Sequence, residues 1–323
     1  MTLDAHAVGR RIVVRHEIGG VGPSGGPAMN DVIGRLLSVD GESATLETRD
    51  GRTQVVPLAR IVTWKTVPDR PLRRRRARDV DAEELTRITS RGWPAIESVP
   101  LGEWELRAAG RFTGRANSVA VTGSPGVPLE EALARVREFY AERSMPALAQ
   151  VVVGSEHDRA FARAGWVPMT GYRGGAIVQV ADLDPAYDAD PTALVAPTAD
   201  DEWLAHYGRV DDPAHARAVM EGPTTVGFVA IGTPVEAIGR VVVTGEWAGL
   251  SAVEVAPSVR RQGLARRVVE TSLAWAVGRG ADKAYLQTMR SNEAALALYE
   301  PYGFVDHHDY RYLQPADPTA EHC

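Results

Sequence analysis

The tightest constraint on the fold lies between Leu250 and Ala265. Leu250-Ser251-Ala252-Val253-Glu254-Val255-Ala256 reads as a β-strand, Pro257 stops it, and Ser258-Val259-Arg260-Arg261-Gln262-Gly263-Leu264-Ala265 opens a long helix. Strand, tight loop and helix N-terminus together make an anion cradle. The N–H groups of the first helical turn are unpaired, the helix dipole favours negative charge, and glycine at 263 lets a ligand approach the backbone. Ala265 is too small to block it, and Arg260, Arg261, Arg266 and Arg267 add positive charge for a multiply phosphorylated ligand. The segment predicts a pyrophosphate site in an α/β fold.

A second element follows at short distance: the strand Ala284-Tyr285-Leu286-Gln287-Thr288-Met289, then Asn292-Glu293-Ala294-Ala295-Leu296-Ala297-Leu298-Tyr299-Glu300-Pro301-Tyr302-Gly303-Phe304. The first loop resembles the acetyl-CoA loop Gln/Arg-x-x-Gly-x-Gly/Ala of the GNAT superfamily of N-acetyltransferases. The second resembles that superfamily's Asn-x-x-Ala-x-x-Leu-Tyr-x-x-x-Gly-Phe element. The resemblance implies a C-terminal GNAT fold, acetyl-CoA as co-substrate and a primary amine as acceptor, which attacks the thioester directly. It further implies that backbone groups of Val253 and Val255 pair with the pantetheine. The amides of Arg261, Gln262, Gly263, Leu264, Ala265 and Arg266 would hold the pyrophosphate beside Arg260, with the Asn292 side chain on the cofactor.

Tyr299 is the expected general acid, since a phenol suits a thiolate leaving group; packing on the Ala295/Leu298 face is the alternative. The general base is open. Some GNAT enzymes place a glutamate on the strand where Gln287 stands here, and an amide takes no proton at neutral pH. Glu254 is the candidate, although it could equally face solvent or steady Arg260, and a water-mediated base or a neutral acceptor would serve instead. Pro301 removes one backbone hydrogen bond near the end of the Tyr299 helix and is expected to kink it.

The 323 residues predict two or three domains. Residues 1–69 alternate short β-branched runs with Asp40-Gly41 and Asp50-Gly51, read as hairpin turns in which glycine supplies positive φ. Pro57–Arg60 then delivers the strand Ile61–Lys65, which resembles the ending of an SH3-like barrel. Gly19–Pro27 reads as a flexible loop of it. Residues 70–78, with Arg70, Arg73, Arg74, Arg75, Arg76 and Arg78, read as a solvated basic linker.

Residues 79–184 have the texture of helix, strands, helix and strand. They look like a degenerate GNAT half, because Gly123-Ser124-Pro125-Gly126-Val127-Pro128 replaces the cofactor loop. Residues 192–315 form the complete GNAT domain. The expected fold class is thus α/β (α+β), a GNAT fold behind a degenerate half and a small barrel, resembling a group of actinobacterial GNAT proteins.

Composition narrows the function. With 36 Lys and Arg against 42 Asp and Glu, the net charge of −6 argues against bulk nucleic-acid affinity. The single cysteine, Cys323, excludes an intrachain disulfide, so a reducing, cytoplasmic setting is expected. No apolar run reaches membrane-spanning length. No metal is expected, since the only adjacent histidines, His307-His308, lack the i, i+4 spacing of a zinc helix. An acceptor cleft lined by Trp203, Tyr207 and Trp247 is expected to suit apolar amines no better than peptides. The rival reading is an acyl-CoA-sensing module acting through its barrel; a Rossmann site fails for want of Gly-x-Gly-x-x-Gly.

Overall fold

A computed structural model of the chain describes residues 3, 5–21, 25–48, 52–67, 75–110, 112–171, 174–210 and 212–316. Residues 22–24 of the glycine-rich loop, the Asp50-Gly51 turn, linker residues 70–74 and Cys323 lie outside the described residues. Contacts divide the chain into two units, residues 1–75 and 76–323.

In the first unit, β1 (Arg11–Val21), β2 (Pro27–Val39), β3 (Ser43–Thr48), β4 (Thr53–Pro57) and β5 (Ile61–Thr66) form an antiparallel sheet in the order β4-β3-β2-β1-β5. Alternation drives it: Ile12, Val14, Val32, Leu36, Ala44, Leu46 and Val56 point inward and are buried. The expected turn before the last strand is a 3-10 turn, Leu58–Arg60.

Two local expectations fail. The ladder runs on through Gly19 and Gly20 to Val21, because these glycines adopt φ of +83° and +85° and let β1 bulge against β2. Gly41 does not take positive φ. The Asp40 carboxylate instead closes the turn by accepting from the amides of Glu42 (2.8 Å) and Ser43 (2.7 Å).

The second unit begins with α1 (Ala82–Gly92), capped by Asp81, whose Oδ1 accepts from Glu83 N and Glu84 N. Then come β6 (Glu97–Leu101), β7 (Trp104–Ala108), β8 (Val119–Ala120), α2 (Leu129–Glu142), β9 (Ala149–Val152), α3 (Glu156–Arg163), β10 (Trp166–Pro168) and β11 (Gly175–Asp182). The remainder is β12 (Leu194–Ala196), α4 (Asp201–Tyr207), α5 (Pro213–Met220), β13 (Val226–Ile231), β14 (Ala237–Thr244), β15 (Trp247–Val255), α6 (Leu264–Val277), β16 (Lys283–Thr288), α7 (Glu293–Tyr299) and β17 (Val305–Pro315). The mixed α/β character expected from the sequence is present, with one sheet in the order β12-β13-β14-β15-β16-β11-β17-β9-β8-β7-β6 and β10 also on β17.

Two pairs are parallel, β8 with β9 and β15 with β16, so each half carries the same strand–helix–strand crossover. Between them the halves exchange strands. β11, from the first half, lies between β16 and β17; β17, from the second, pairs with β9 and β10. The division of the chain near residue 190 is therefore not a division of the sheet. Asp158, almost fully buried, receives Arg311 Nε at 2.8 Å and so ties α3 to β17.

Candidate active site

The β15–β16 pairing runs only from Trp247↔Lys283 to Leu250↔Leu286, although both strands continue, β15 to Val255 and β16 to Thr288. Beyond Leu250 the two strands part. A bulge causes the swing: Ile238 faces Glu254 and Arg240 faces Ser251, so Gly239 opposes two residues, and Ala252 adopts φ of +55°. Gly239 also admits α6, since a Cβ there would lie 2.4 Å from Val268 Cγ1. The outer half of β15, Ser251 to Val255, stays partly exposed along this fork.

At the wide end of the fork the chain passes Pro257–Val259 and Arg261 (φ +65°) to Gly263, the N-cap of α6 with φ of +82°. No side chain caps α6, and a Cβ on Gly263 would meet nothing within 4 Å. Its first-turn amides thus have no side-chain partner among the described residues, as an anion cradle requires. Arg260, Arg261, Gln262 and Arg266 are exposed around it, Leu264 is buried and Ala265 half-buried. Arg260 Nε donates to Val255 O at 3.2 Å, steadying the loop. Arg267 is committed elsewhere: it pairs with Asp190 and donates to Thr192 Oγ1, pulling the Asp190 carboxyl down to about 2.

Asn292 caps α7, its Oδ1 accepting from Ala295 N at 3.2 Å, and is otherwise exposed. Tyr299 sits at the end of α7 in the core cluster of Val241, Leu250 and Val269, its ring 5.3 Å from Phe304. Its hydroxyl has no hydrogen-bond partner among the described residues. Burial, then the Glu254 charge, hold the phenol well above its usual range and keep it protonated. Helix α7 stops at Tyr299 and tightens into the 3-10 turn Glu300–Tyr302, as Pro301 demands. Tyr302 donates to Glu270 Oε1 at 3.0 Å.

Val253 packs in the α6 cores, whereas Glu254, next along the strand, turns to the α4 side and pairs with Arg209 rather than Arg260. The expected aromatic cleft is not there. Trp203 and Tyr207 are buried and stacked on one another among Phe228 and Ile238, while Trp247 belongs to a different cluster with Tyr285. Large rings on amphipathic elements were core.

In the first half the corresponding loop, from β8 into α2, is tied by two carboxylates near its start. Gly123 N donates to Glu83 Oε2 (2.7 Å) and Ser124 N to Glu103 Oε2 (2.8 Å). Both amides lie ahead of the α2 N-cap, Pro128, and the two carboxylates place negative charge beside this loop.

Sequence reasoning missed a cleft at the vertex of the fork, lined by Trp93, Arg115, Arg240, Gly249, Ser251, Tyr285 and Gln287 among others. Arg240 was signalled by its place inside the apolar run Ile238–Val243, but Arg115 comes from a loop of the other half and carried no local sign. Among the described residues no group of three or more His, Cys, Asp or Glu side chains could hold a metal ion, and no helix is long and apolar enough to cross a membrane.

Residues 80–313 match the family model described as "Probable histone acetyltransferase Rv0428c C-terminal", and residues 6–65 match "Rv0428c N-terminal Sm-like domain". One family model thus spans both halves, and the barrel read as SH3-like is matched as Sm-like. YobR of Bacillus subtilis (strain 168), an uncharacterized N-acetyltransferase, is 26% identical over 248 residues, 72% of this chain and 98% of that protein. A GCN5-related N-acetyltransferase from Kribbella flavida superposes with a TM-score of 0.52 at 17% identity, over 73% of this chain and 96% of that one.

Proposed function

Because this chain belongs to the acetyltransferase family of the model that residues 80–313 match, and shares its fold with a GCN5-related N-acetyltransferase, we propose that it transfers the acetyl group of acetyl-CoA to a primary amine that attacks the thioester directly. The observation that carries this reading is the parting of β15 from β16 ahead of an uncapped α6. A pantetheine arm needs a strand edge to pair with, and β15 from Ser251 to Val255 offers one. Val253 and Val255 would supply the backbone groups. A pyrophosphate needs converging amides and a helix dipole, which the open face of Gly263 supports, with Arg260, Arg261, Gln262, Leu264, Ala265 and Arg266 around it. Asn292, its oxygen used for the cap, has its amide N–H groups left to donate to the same ligand.

The chain supplies no nucleophile in this scheme and needs none. Rate comes from holding amine and thioester together and from a backbone N–H near the thioester oxygen. Tyr299, protonated and with an unshared hydroxyl, gives its proton to the departing thiolate. Glu254, on the opposite face of β15 from Val253, takes the proton of the attacking amine, directly or through water, with Arg209 fixing its orientation.

Tyr299→Phe keeps the ring in its core and removes only the hydroxyl. Turnover, followed as thiol release from acetyl-CoA with a panel of amines, is expected to fall about 10- to 100-fold, while acetyl-CoA affinity stays within about threefold. Weakened binding beside normal turnover would remove the tyrosine from the chemistry.

A further inference from the structure

The cleft at the vertex of the fork carries two guanidinium groups and no acid. Arg240 is 1% exposed. Its Nε donates to Met220 O at 2.9 Å and its Nη2 to Gly92 O at 3.0 Å, while Nη1 has only Ser251 Oγ, at 3.5 Å. Arg115 donates Nη1 to Gln287 Oε1 at 2.8 Å. Neither arginine has an ion-pair partner among the described residues, and no carboxylate lines the cleft. Both cations flank the ring of Trp93, 4.2 and 4.8 Å from its centroid.

Buried charge normally comes with a counter-charge, because desolvation is otherwise uncompensated. Arg107, the other fully buried arginine among the described residues, shows what a closed structural site looks like: its guanidinium reaches Ser118 O, Ser90 Oγ, Ser118 Oγ and Gln150 Oε1, all within 3.1 Å. Arg240 and Arg115 are not closed in that way. Tyr285 adds a third donor. Its hydroxyl stands over Gly92, where a Cβ would lie 1.9 Å from it, and has no hydrogen-bond partner among the described residues.

The arrangement is also built. The loop that carries Arg115 is pinned by Asn117, which accepts from Ala109 N (2.7 Å) and donates to Phe112 O and Thr113 O (both 2.9 Å), and by Trp93 Nε1 on Thr113 Oγ1 (2.9 Å). Ser251 and Gln287 are the first residues past the last β15–β16 pair, so the cleft opens where the strands part. The whole cleft has room for about one water-sized group, the size of a carboxylate oxygen.

From this we infer that the acceptor is a small amine that also bears a carboxylate, an amino-acid-like molecule whose carboxylate is held between Arg115 and Arg240. The inference rests on the transfer reading for the acceptor's role, though not for the existence of the anion site. It also gives the first half of the unit a task. Its own β8–α2 loop carries the carboxylates of Glu83 and Glu103, and it contributes Trp93 and Arg115 to the acceptor side of the other half.

Two readouts test it. The first is thiol release from acetyl-CoA with the twenty α-amino acids, β-alanine and γ-aminobutyrate, each beside its carboxamide. The second is quenching of tryptophan fluorescence by N-acetylglycine and by N-acetylglycinamide, which reports binding without turnover. In the native protein the acid is expected to be preferred at least tenfold in both. In Arg115→Ala that preference falls at least tenfold, and Arg115→Lys restores part of it; circular dichroism and acetyl-CoA binding confirm that the variants are folded.

Transfer to amines with no preference for a carboxylate would overturn the inference and leave acetyl transfer standing. Binding of N-acetylglycine that Arg115→Ala abolishes, with no transfer to any amine, would support the anion site and overturn the transfer reading. Absence of both preferences and of transfer would overturn the two together.

Discussion

Gly263→Glu is expected to weaken acetyl-CoA binding at least 100-fold while leaving the fold in place. The new side chain enters open space, so it displaces nothing. What it brings is a carboxylate at the mouth of the α6 N-terminus, where it accepts the amides and repels the pyrophosphate. The position has φ of +82°, so any L-residue there is strained by about 1–2 kcal/mol, and that effect must be separated from charge. Gly263→Asn is the control, because asparagine tolerates the left-handed region. It is expected to bind within about tenfold of the native protein by equilibrium titration. Equal loss in both variants would mean that backbone strain, and no anion cradle, governs the site.

Gly175→Val is expected to destabilise the second unit by about 3 kcal/mol or more, with a fall in its melting temperature of about 6–12 °C. Gly175 opens β11 with φ of +155°, and a Cβ there would sit 2.2 Å from Tyr310 O and 2.9 Å from Arg311 Cα. Both atoms belong to β17, so neither can yield without moving the strand. β11 and β17 are the exchanged strands, hence the damage falls on the seam between the halves and on Arg311, which holds Asp158. Thermal denaturation followed by calorimetry checks this. The first unit, with its own core of Ile12, Val14, Leu36 and Leu46, is expected to melt as in the native chain. An unchanged transition for the second unit would show that the exchange contributes little to its stability.

What the sequence made legible was local. The strand, proline, arginine loop and Gly263 are contiguous, and backbone geometry within a dozen residues decides what they can hold. The break that Pro301 forces at the end of the Tyr299 helix was readable for the same reason. Strand exchange was not legible, because pairing of β11 with β17 joins residues more than 120 positions apart, and nothing in either strand states its partner.

Trp203, Tyr207 and Trp247 misled because an aromatic residue on an amphipathic face reads alike as cleft wall and as core. The cleft itself was hidden, since Arg115, Arg240 and Tyr285 come from three separate stretches of chain. Glu83 and Glu103, which accept from the first half's loop, were indistinguishable from surface acids until the fold brought them to Gly123 and Ser124.

The central proposal is that one half of the second unit holds acetyl-CoA and the other, with Glu83 and Glu103 on its loop, holds none. Titration calorimetry of acetyl-CoA into the native protein tests it most directly. The account predicts one molecule per chain. Two molecules per chain would show that Glu83 and Glu103 leave the first half's loop to a pyrophosphate, and no binding at all would show that the fork and the uncapped α6 do not make a working site; either result would contradict the account.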